Sequence, residues 1–219
     1  MTKQIPRPTV EDLIQAENWV AAQRLIQEEL RTDPENHWLL TQLGVTFYEQ
    51  RQYREALEHF ARSAKIVPDC PLTLWNLAGA LAALGKPRVA LEIYTWLALS
   101  RRTAEDDSCW ESEDWADSLR TDCVFRAASC FERLNDPVTA EELYRRYILL
   151  LSMGSNGSYT AEDALRRLRE IRGTSAGRNT GKTARRTTIR EIFALPEVHR
   201  LMPGSHRLPK IDVATVLAD

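Results

Sequence analysis

Apolar residues return along this chain at helical spacing and in a fixed order. Leu40, Leu43, Gly44 and Phe47 fall on one face of a helix, and Leu74, Leu77, Ala78 and Leu81 repeat that face 34 residues later. A second pattern follows the first. Tyr53-x-x-Ala56, Phe60, Ser63 and Pro68 recurs 34 residues upstream as Trp19-x-x-Ala22, Ile26, Glu29 and Pro34, and downstream as Pro87-x-x-Ala90, Tyr94 and Leu97. A fourth copy lies 50 residues on, as Val124, Ala127, Ala128 and Phe131 followed by Pro137-x-x-Ala140, Tyr144 and Tyr147. The 16 additional residues fall in one block, about Glu105 to Arg120.

A single register held over this length predicts an all-α chain built from repeated helix pairs. Small residues at Gly44, Ala56, Ser63, Ala78, Ala90, Ala128 and Ala140 let helix backbones approach, while larger apolar residues fill the gaps. Pro34 and Pro68 stop a helix, because proline lacks the N–H donor and clashes with the preceding turn. Pro87 and Pro137 suit the first turn of the next helix, where a missing N–H costs little.

These residues resemble the tetratricopeptide repeat (TPR) family, whose unit pairs two antiparallel helices. The resemblance covers roughly Val10 to Leu151, and the unit that begins at His37 fits best. It implies a right-handed α-α superhelix of tandem TPR hairpins with a C-terminal capping helix and an extended tail. The array would occupy 1–172, with units about 3–36, 37–70, 71–104 and 121–154, an insertion at 105–120 and a capping helix at 160–172. The first unit departs from the pattern: its leading helix is short, and Glu29 stands where a small residue is expected. An edge unit facing solvent tolerates both.

After Leu151, SMGSNGS reads as a loop. Thr160 then opens TAEDALRRLREIR with Asp163 three residues on, close to a capping box, and Ala164, Leu165, Leu168 and Ile171 form one apolar stripe. That helix would shield the last hydrophobic face of the array. Residues 173–219 read as a flexible linker and a basic tail that binds a partner or docks on its own array. Ile189, Ile192, Phe193 and Leu195 mark a short helix within it.

Composition adds exclusions. The 219 residues are 43% hydrophobic with a net charge of -2, which excludes collagen-like, disordered and strongly basic classes. No run reaches the roughly 18 apolar residues of a membrane span. The first residues lack a secretory leader's apolar centre, and the four cysteines match no zinc spacing, so a cytoplasmic protein with reduced thiols is expected. Charge is divided unevenly. From Arg172 onward nine Lys/Arg face four Asp/Glu, a net of +5, and the rest of the chain carries -7. The insertion EDDSCWESEDWAD holds seven acidic residues around Trp110 and Trp115. It reads as an acidic segment that binds a basic peptide or rests against the array, or equally as a solvated acidic loop whose tryptophans cover a gap between helices.

Candidate chemistry is sparse. Ala176 to Thr183, AGRNTGKT, fits a relaxed phosphate-loop pattern in which Lys182 would neutralise phosphate and Thr183 would hold magnesium. Its context argues against that: LRRLREIRGTS precedes it where a buried strand belongs, and 36 residues follow, too few for a nucleotide domain. His37, His59, His199 and His206 form no ligand spacing, and His59 reads as a surface residue. Cys123 and Cys130 share a helix face and read as packing. Basic pairs occur at Arg101-Arg102, Arg145-Arg146, Arg166-Arg167 and Arg185-Arg186; the net acidic repeats disfavour nucleic acid outside the tail, and a helix end whose dipole cations oppose explains Arg101 and Arg102. No catalytic, metal or cofactor residue is expected, and Glu141 and Glu142 belong to a solvated helix face.

In the family resembled, the first helix of each pair lines a concave groove that holds a peptide or partner helix. The register assigns Trp38, Thr41, Gln42, Val45 and Tyr48 to that lining, then Leu72, Trp75, Asn76, Gly79 and Ala83, then Asp122, Phe125, Arg126, Ser129 and Arg133. The expected partner-binding set is Trp38, Gln42, Val45, Trp75, Asn76, Phe125 and Arg126, with Trp110, Trp115, Arg185, Arg186 and Phe193 as accessory contacts. A family variant grips the C-terminal carboxylate of heat-shock chaperones with five polar residues. The matching positions here are Thr41, Val45, Asn76, Asp122 and Arg126, of which only Asn76 and Arg126 keep the required type. An apolar groove suits a hydrophobic peptide or amphipathic helix better, and the other reading of Trp38, Trp75 and Phe125 is packing against neighbouring helices or under the insertion. The resemblance therefore implies a non-catalytic protein-protein adaptor. Two alternatives stand beside it: a chaperone for secreted substrates resembling the type III secretion chaperones, and a nucleotide-binding enzyme working through AGRNTGKT. Pairing of two copies through a terminal helix is a further option that such arrays allow.

Overall fold

The computed structural model describes residues 8–100, 102 and 108–174. Among these there are nine α-helices, one 3-10 turn and no strand. None of the helices is long and apolar enough to cross a membrane. The chain divides into two compact units, and the division falls between Ala80 and Leu81.

The first unit holds α1 (Val10–Gln15), α2 (Trp19–Glu29), α3 (His37–Glu49), α4 (Tyr53–Ile66) and the first turns of α5 (Pro71–Ala83). Helices begin where side chains satisfy their free N–H groups. Thr9 and Asp12 form a reciprocal box at α1, Asn18 accepts from Ala21 N–H at α2, and Asn36 accepts from Leu39 N–H at α3. Within the unit α1 packs on α2, α2 on α3 and α3 on α4. Val10, Ile26, Leu39 and Leu43 form a buried cluster, with Ile14, Leu25, Leu30, Trp38 and Phe47 packed against it. The approach of α3 to α4 depends on Gly44, where an added Cβ would lie 2.5 Å from the Phe60 ring.

The second unit holds the end of α5, then α6 (Pro87–Leu99), α7 (Glu113–Arg133), α8 (Pro137–Ser152) and α9 (Ala161–Thr174), with a 3-10 turn at Ser108–Trp110. Pro87 and Pro137 occupy the first turns of α6 and α8, where proline's missing donor is harmless. α6 packs on α7, α7 on α8 and α8 on α9. α9 begins at a box between Thr160 and Asp163, whose backbone N–H groups each reach the other's side chain. It runs to Thr174, so Gly173 is helical rather than the start of a linker.

One helix differs from the reading of an acidic loop over 105–120. Ser112 accepts from Trp115 N–H and starts α7 at Glu113, with Glu113 and Asp114 placed favourably at the positive end of the helix dipole. The second half of the insertion is therefore a two-turn extension of α7, 21 residues long in all.

One turn recurs after α1, α3, α5 and α7. Glu17, Arg51, Gly85 and Asn135 adopt left-handed φ values of 54°, 61°, 78° and 60°. The next residue's N–H reaches back five positions in each case: Asn18 to Leu13, Gln52 to Phe47, Lys86 to Leu81 and Asp136 to Phe131, all at 2.9 Å. The left-handed residue itself donates to the second residue of that span, as in Arg51 N–H to the Tyr48 carbonyl at 2.9 Å. This pairing ends a helix while satisfying its last carbonyls. Asn18, Gln52, Lys86 and Asp136 each cap the helix that follows. Those four caps stand 34, 34 and 50 residues apart, the intervals of the sequence repeat.

Candidate functional site

On α3, Trp38, Gln42 and Val45 are four and three residues apart, so they share one face, and all three are half-buried. Trp38 leans on the core cluster of the first unit through part of its ring. Trp75 and Asn76, on the first turns of α5, are also half-buried. The two helices meet through a knot of hydroxyls. Thr41 Oγ1 lies 2.8 Å from Ser63 Oγ and 2.7 Å from Thr73 Oγ1, Ser63 and Thr73 are 3.0 Å apart, and the His37 carbonyl accepts from Thr41 and Ser63 at 2.9 and 2.7 Å. Three hydroxyl protons cannot fill five short contacts at once: with Thr41 and Ser63 donating to the His37 carbonyl, Thr73 donates to Thr41 or Ser63. Thr41 is accordingly buried between α3, α4 and α5 and is not part of an exposed lining, contrary to its assignment from register. Asn76 spends an amide donor on the Leu72 carbonyl one turn back, at 2.9 Å.

The corresponding face of α7 is covered. Phe125 is buried, with its ring stacked on Tyr159 at 4.0 Å and 5° and edge-on to Tyr144 and Tyr147. The expectation that Phe125 lines an open groove is corrected: the connection from α8 to α9 lies over it. Asp122, also assigned to the lining, is 3% exposed. Its two carboxylate oxygens accept from Ser158 N–H at 2.9 and 3.0 Å. The Tyr147 hydroxyl directs its one proton between the Tyr159 carbonyl at 2.7 Å and Asp122 Oδ1 at 3.1 Å. Burial and the Asp122 charge both push the Tyr147 hydroxyl pKa upward, so it remains a donor. Gly157 passes so close that a Cβ would lie 2.4 Å from Tyr147 Oη and 2.8 Å from Asp122 Oδ1. Arg126, beside Phe125, instead reaches α6: its Nε donates to Tyr94 Oη at 3.0 Å, and its guanidinium lies 5.6 Å from the centre of that ring.

The accessory residues separate. Trp110 is fully buried, edge-on to Trp115 at 6.4 Å, and is corrected from a surface contact to an interior one. Arg120 holds it there. The guanidinium lies 5.2 Å from the Trp110 ring centre and donates to the carbonyls of Ser100 (3.1 Å) and Arg102 (2.6 Å) and to Asp117 (2.8 Å). Trp115 is half-buried. Arg185, Arg186, Phe193, the basic tail and AGRNTGKT lie outside the described residues.

Other titratable groups serve packing. Burial raises the Cys123 thiol well above its ordinary value and pushes Cys130 up to about 12, so both are protonated at neutral pH and poor nucleophiles. His59 is corrected from a surface residue: it is half-buried and stacked on Phe47 at 5.2 Å and 11°. Its Nδ1 is buried without a hydrogen-bond partner. Glu141 is half-buried rather than solvated, Glu142 keeps a side chain 41% exposed, and each pairs one turn on, with Arg145 and Arg146 at 2.6 Å. Ion pairs also fix α9, through Arg172 to Glu141 at 2.9 Å and Arg167 to Glu132. Glu132 accepts from the Tyr144 hydroxyl as well, at 2.5 Å.

Compared with known protein families and with curated proteins, the chain matches none. Its functional reading therefore rests on its own residues.

Proposed function

We propose that the chain is a non-catalytic adaptor of the TPR type, which binds a peptide or an amphipathic partner helix across α3 and the first turns of α5. One observation carries this reading: Trp38, Gln42 and Val45 on one face of α3, and Trp75 and Asn76 on the neighbouring helix, are all left half-buried. The recurrent turn at the sequence's own intervals supports the repeat, because the same geometry ends four helices that the pattern makes equivalent. Two indole rings with flanking amides suit an apolar segment that has a few main-chain groups to satisfy. Each ring contributes on the order of 1.5–3 kcal/mol when a partner covers it fully.

The test is affinity capture with crosslinking, comparing the wild-type chain with the Trp38→Ser, Trp75→Ser double variant at equal folded content. Crosslinks to α3 and α5 in the wild type, and recovery of the crosslinked protein reduced tenfold or more in the variant, are expected. Equal recovery by both proteins would remove this face as the site.

A further inference from the structure

Three residues depart from the repeat's own register in the fourth hairpin, and all three touch one short segment. Applying the interval that relates Thr41 to Phe125 puts Asp122 where the second hairpin has Trp38, and Tyr147 where it has Ser63. Asp122, Phe125 and Tyr147 converge on residues 155–159, which run from the end of α8 to the cap of α9. Asp122 receives the Ser158 N–H on both oxygens, Phe125 stacks on Tyr159, and Tyr147 donates to the Tyr159 carbonyl. Gly157 fits because it lacks a Cβ.

These contacts are the kind that hold a short extended peptide: a main-chain N–H on a buried carboxylate, a main-chain carbonyl on a hydroxyl, a position without a side chain and an aromatic ring on an aromatic ring. The segment's ends are fixed independently. Ser155 N–H closes the end of α8 on the Leu150 carbonyl at 3.1 Å, with Gly154 in a left-handed conformation, and the Thr160–Asp163 box begins α9. α9 keeps its own ion pairs to Glu132 and Glu141. The segment between these anchors can therefore leave without undocking α9.

We infer that the α7–α8 face is a peptide-binding site of the class Gly-Ser-aromatic, occupied in cis by residues 155–159, and that this strap excludes external segments of the same chemistry. The inference does not depend on the α3 face binding anything. A tethered segment competes at an effective concentration on the order of millimolar, so a free peptide gains access only when the strap is displaced.

The probe is the acetylated, amidated peptide Ser-Asn-Gly-Ser-Tyr-Thr carrying a 3-fluorotyrosine, followed by fluorine NMR. The full chain with Gly157→Val and Tyr159→Ala should bind it saturably, with a dissociation constant of about 0.1 mM or below, the range in which a strap at millimolar effective concentration weakens wild-type binding tenfold or more. Wild type should bind at least tenfold more weakly. Adding Asp122→Asn to the displaced-strap variant should cut binding at least tenfold. Circular dichroism and a melting curve check the fold, and Tyr159→Ala alone serves if the double variant does not fold. A folded displaced-strap protein that ignores the peptide, or a wild type that binds it equally well, would overturn the inference.

Discussion

The second and fourth hairpins treat the same register positions in opposite ways. In the second, Thr41 faces Ser63, and small hydroxyl side chains close the gap with Thr73 of the next helix. In the fourth, Phe125 faces Tyr147, two large rings in edge-to-face contact. The connections explain how both can pack. Four residues, 67–70, link α4 to α5, while eight, 153–160, link α8 to α9. A short connection leaves room only for small side chains where the next helix arrives. A longer one dips onto α7, and larger rings are then needed to fill the space beneath it. Between these two helix pairs, the longer connection is the one that covers the face of its first helix.

The strongest way to break the comparison is Phe125→Ala. It removes a buried ring touching three tyrosines and should destabilise the second unit by about 3–5 kcal/mol. Denaturant unfolding should report a large midpoint shift. Amide exchange should also speed at Ser158 and Tyr159, because the strap loses its stacking surface. A change below about 1 kcal/mol would mean that the strap does not rest on this ring.

Gly157→Ala should have an intermediate effect, about 1–3 kcal/mol, as its Cβ meets Tyr147 Oη and Asp122 Oδ1. Exchange should rise at Ser158 but not in α9, which its own ion pairs hold. Ser63→Ala is the mild counterpart in the second hairpin. Thr41 and Thr73 still pair with one another at 2.7 Å, so the loss should stay near 1 kcal/mol or less in a thermal melt. A loss above about 3 kcal/mol would show that the hydroxyl knot acts as one unit.

Much of this was legible before any coordinates. Pro87 and Pro137 marked helix starts, and the spacing of Leu40, Leu43 and Phe47 marked the stripe that α3 buries. Those signals are local, arising from a missing donor and a period of 3.6. The strap was not read, because SMGSNGS looks like any solvated connection when its carboxylate partner Asp122 lies 36 residues from Ser158, in α7. A trace was present: Tyr147 stands where the register asks for a small residue, and such a ring forces the backbone nearby to make room. For Trp110 the residues leave two roles open, a partner contact and a cover for a gap between helices, for a related reason. The seven acidic neighbours suggested solvent, whereas Arg120 reaches across the chain to draw the indole inside.

The smallest expected effect is a pH dependence confined to the first unit. Phe47 stacks on His59 there, and the same register places Leu143 against the α7 stripe that includes Phe131, both fully buried. Burial first, and the nearby Arg62 charge second, lower the His59 pKa from its ordinary 6.5. The imidazole is therefore neutral in the fold, while the unfolded chain takes up a proton near pH 6.5. Between 6.5 and the depressed folded value the unfolded state binds more protons, so stability falls as pH drops through that window and is full above it. Replacing His59→Leu makes this position like its counterpart in the second unit. The variant's unfolding midpoint, followed by a first-unit probe such as Trp38 fluorescence, should then be flatter between pH 7 and 5 than that of the wild type. Unchanged slopes in the two proteins would assign the dependence to other groups and leave His59 as packing alone.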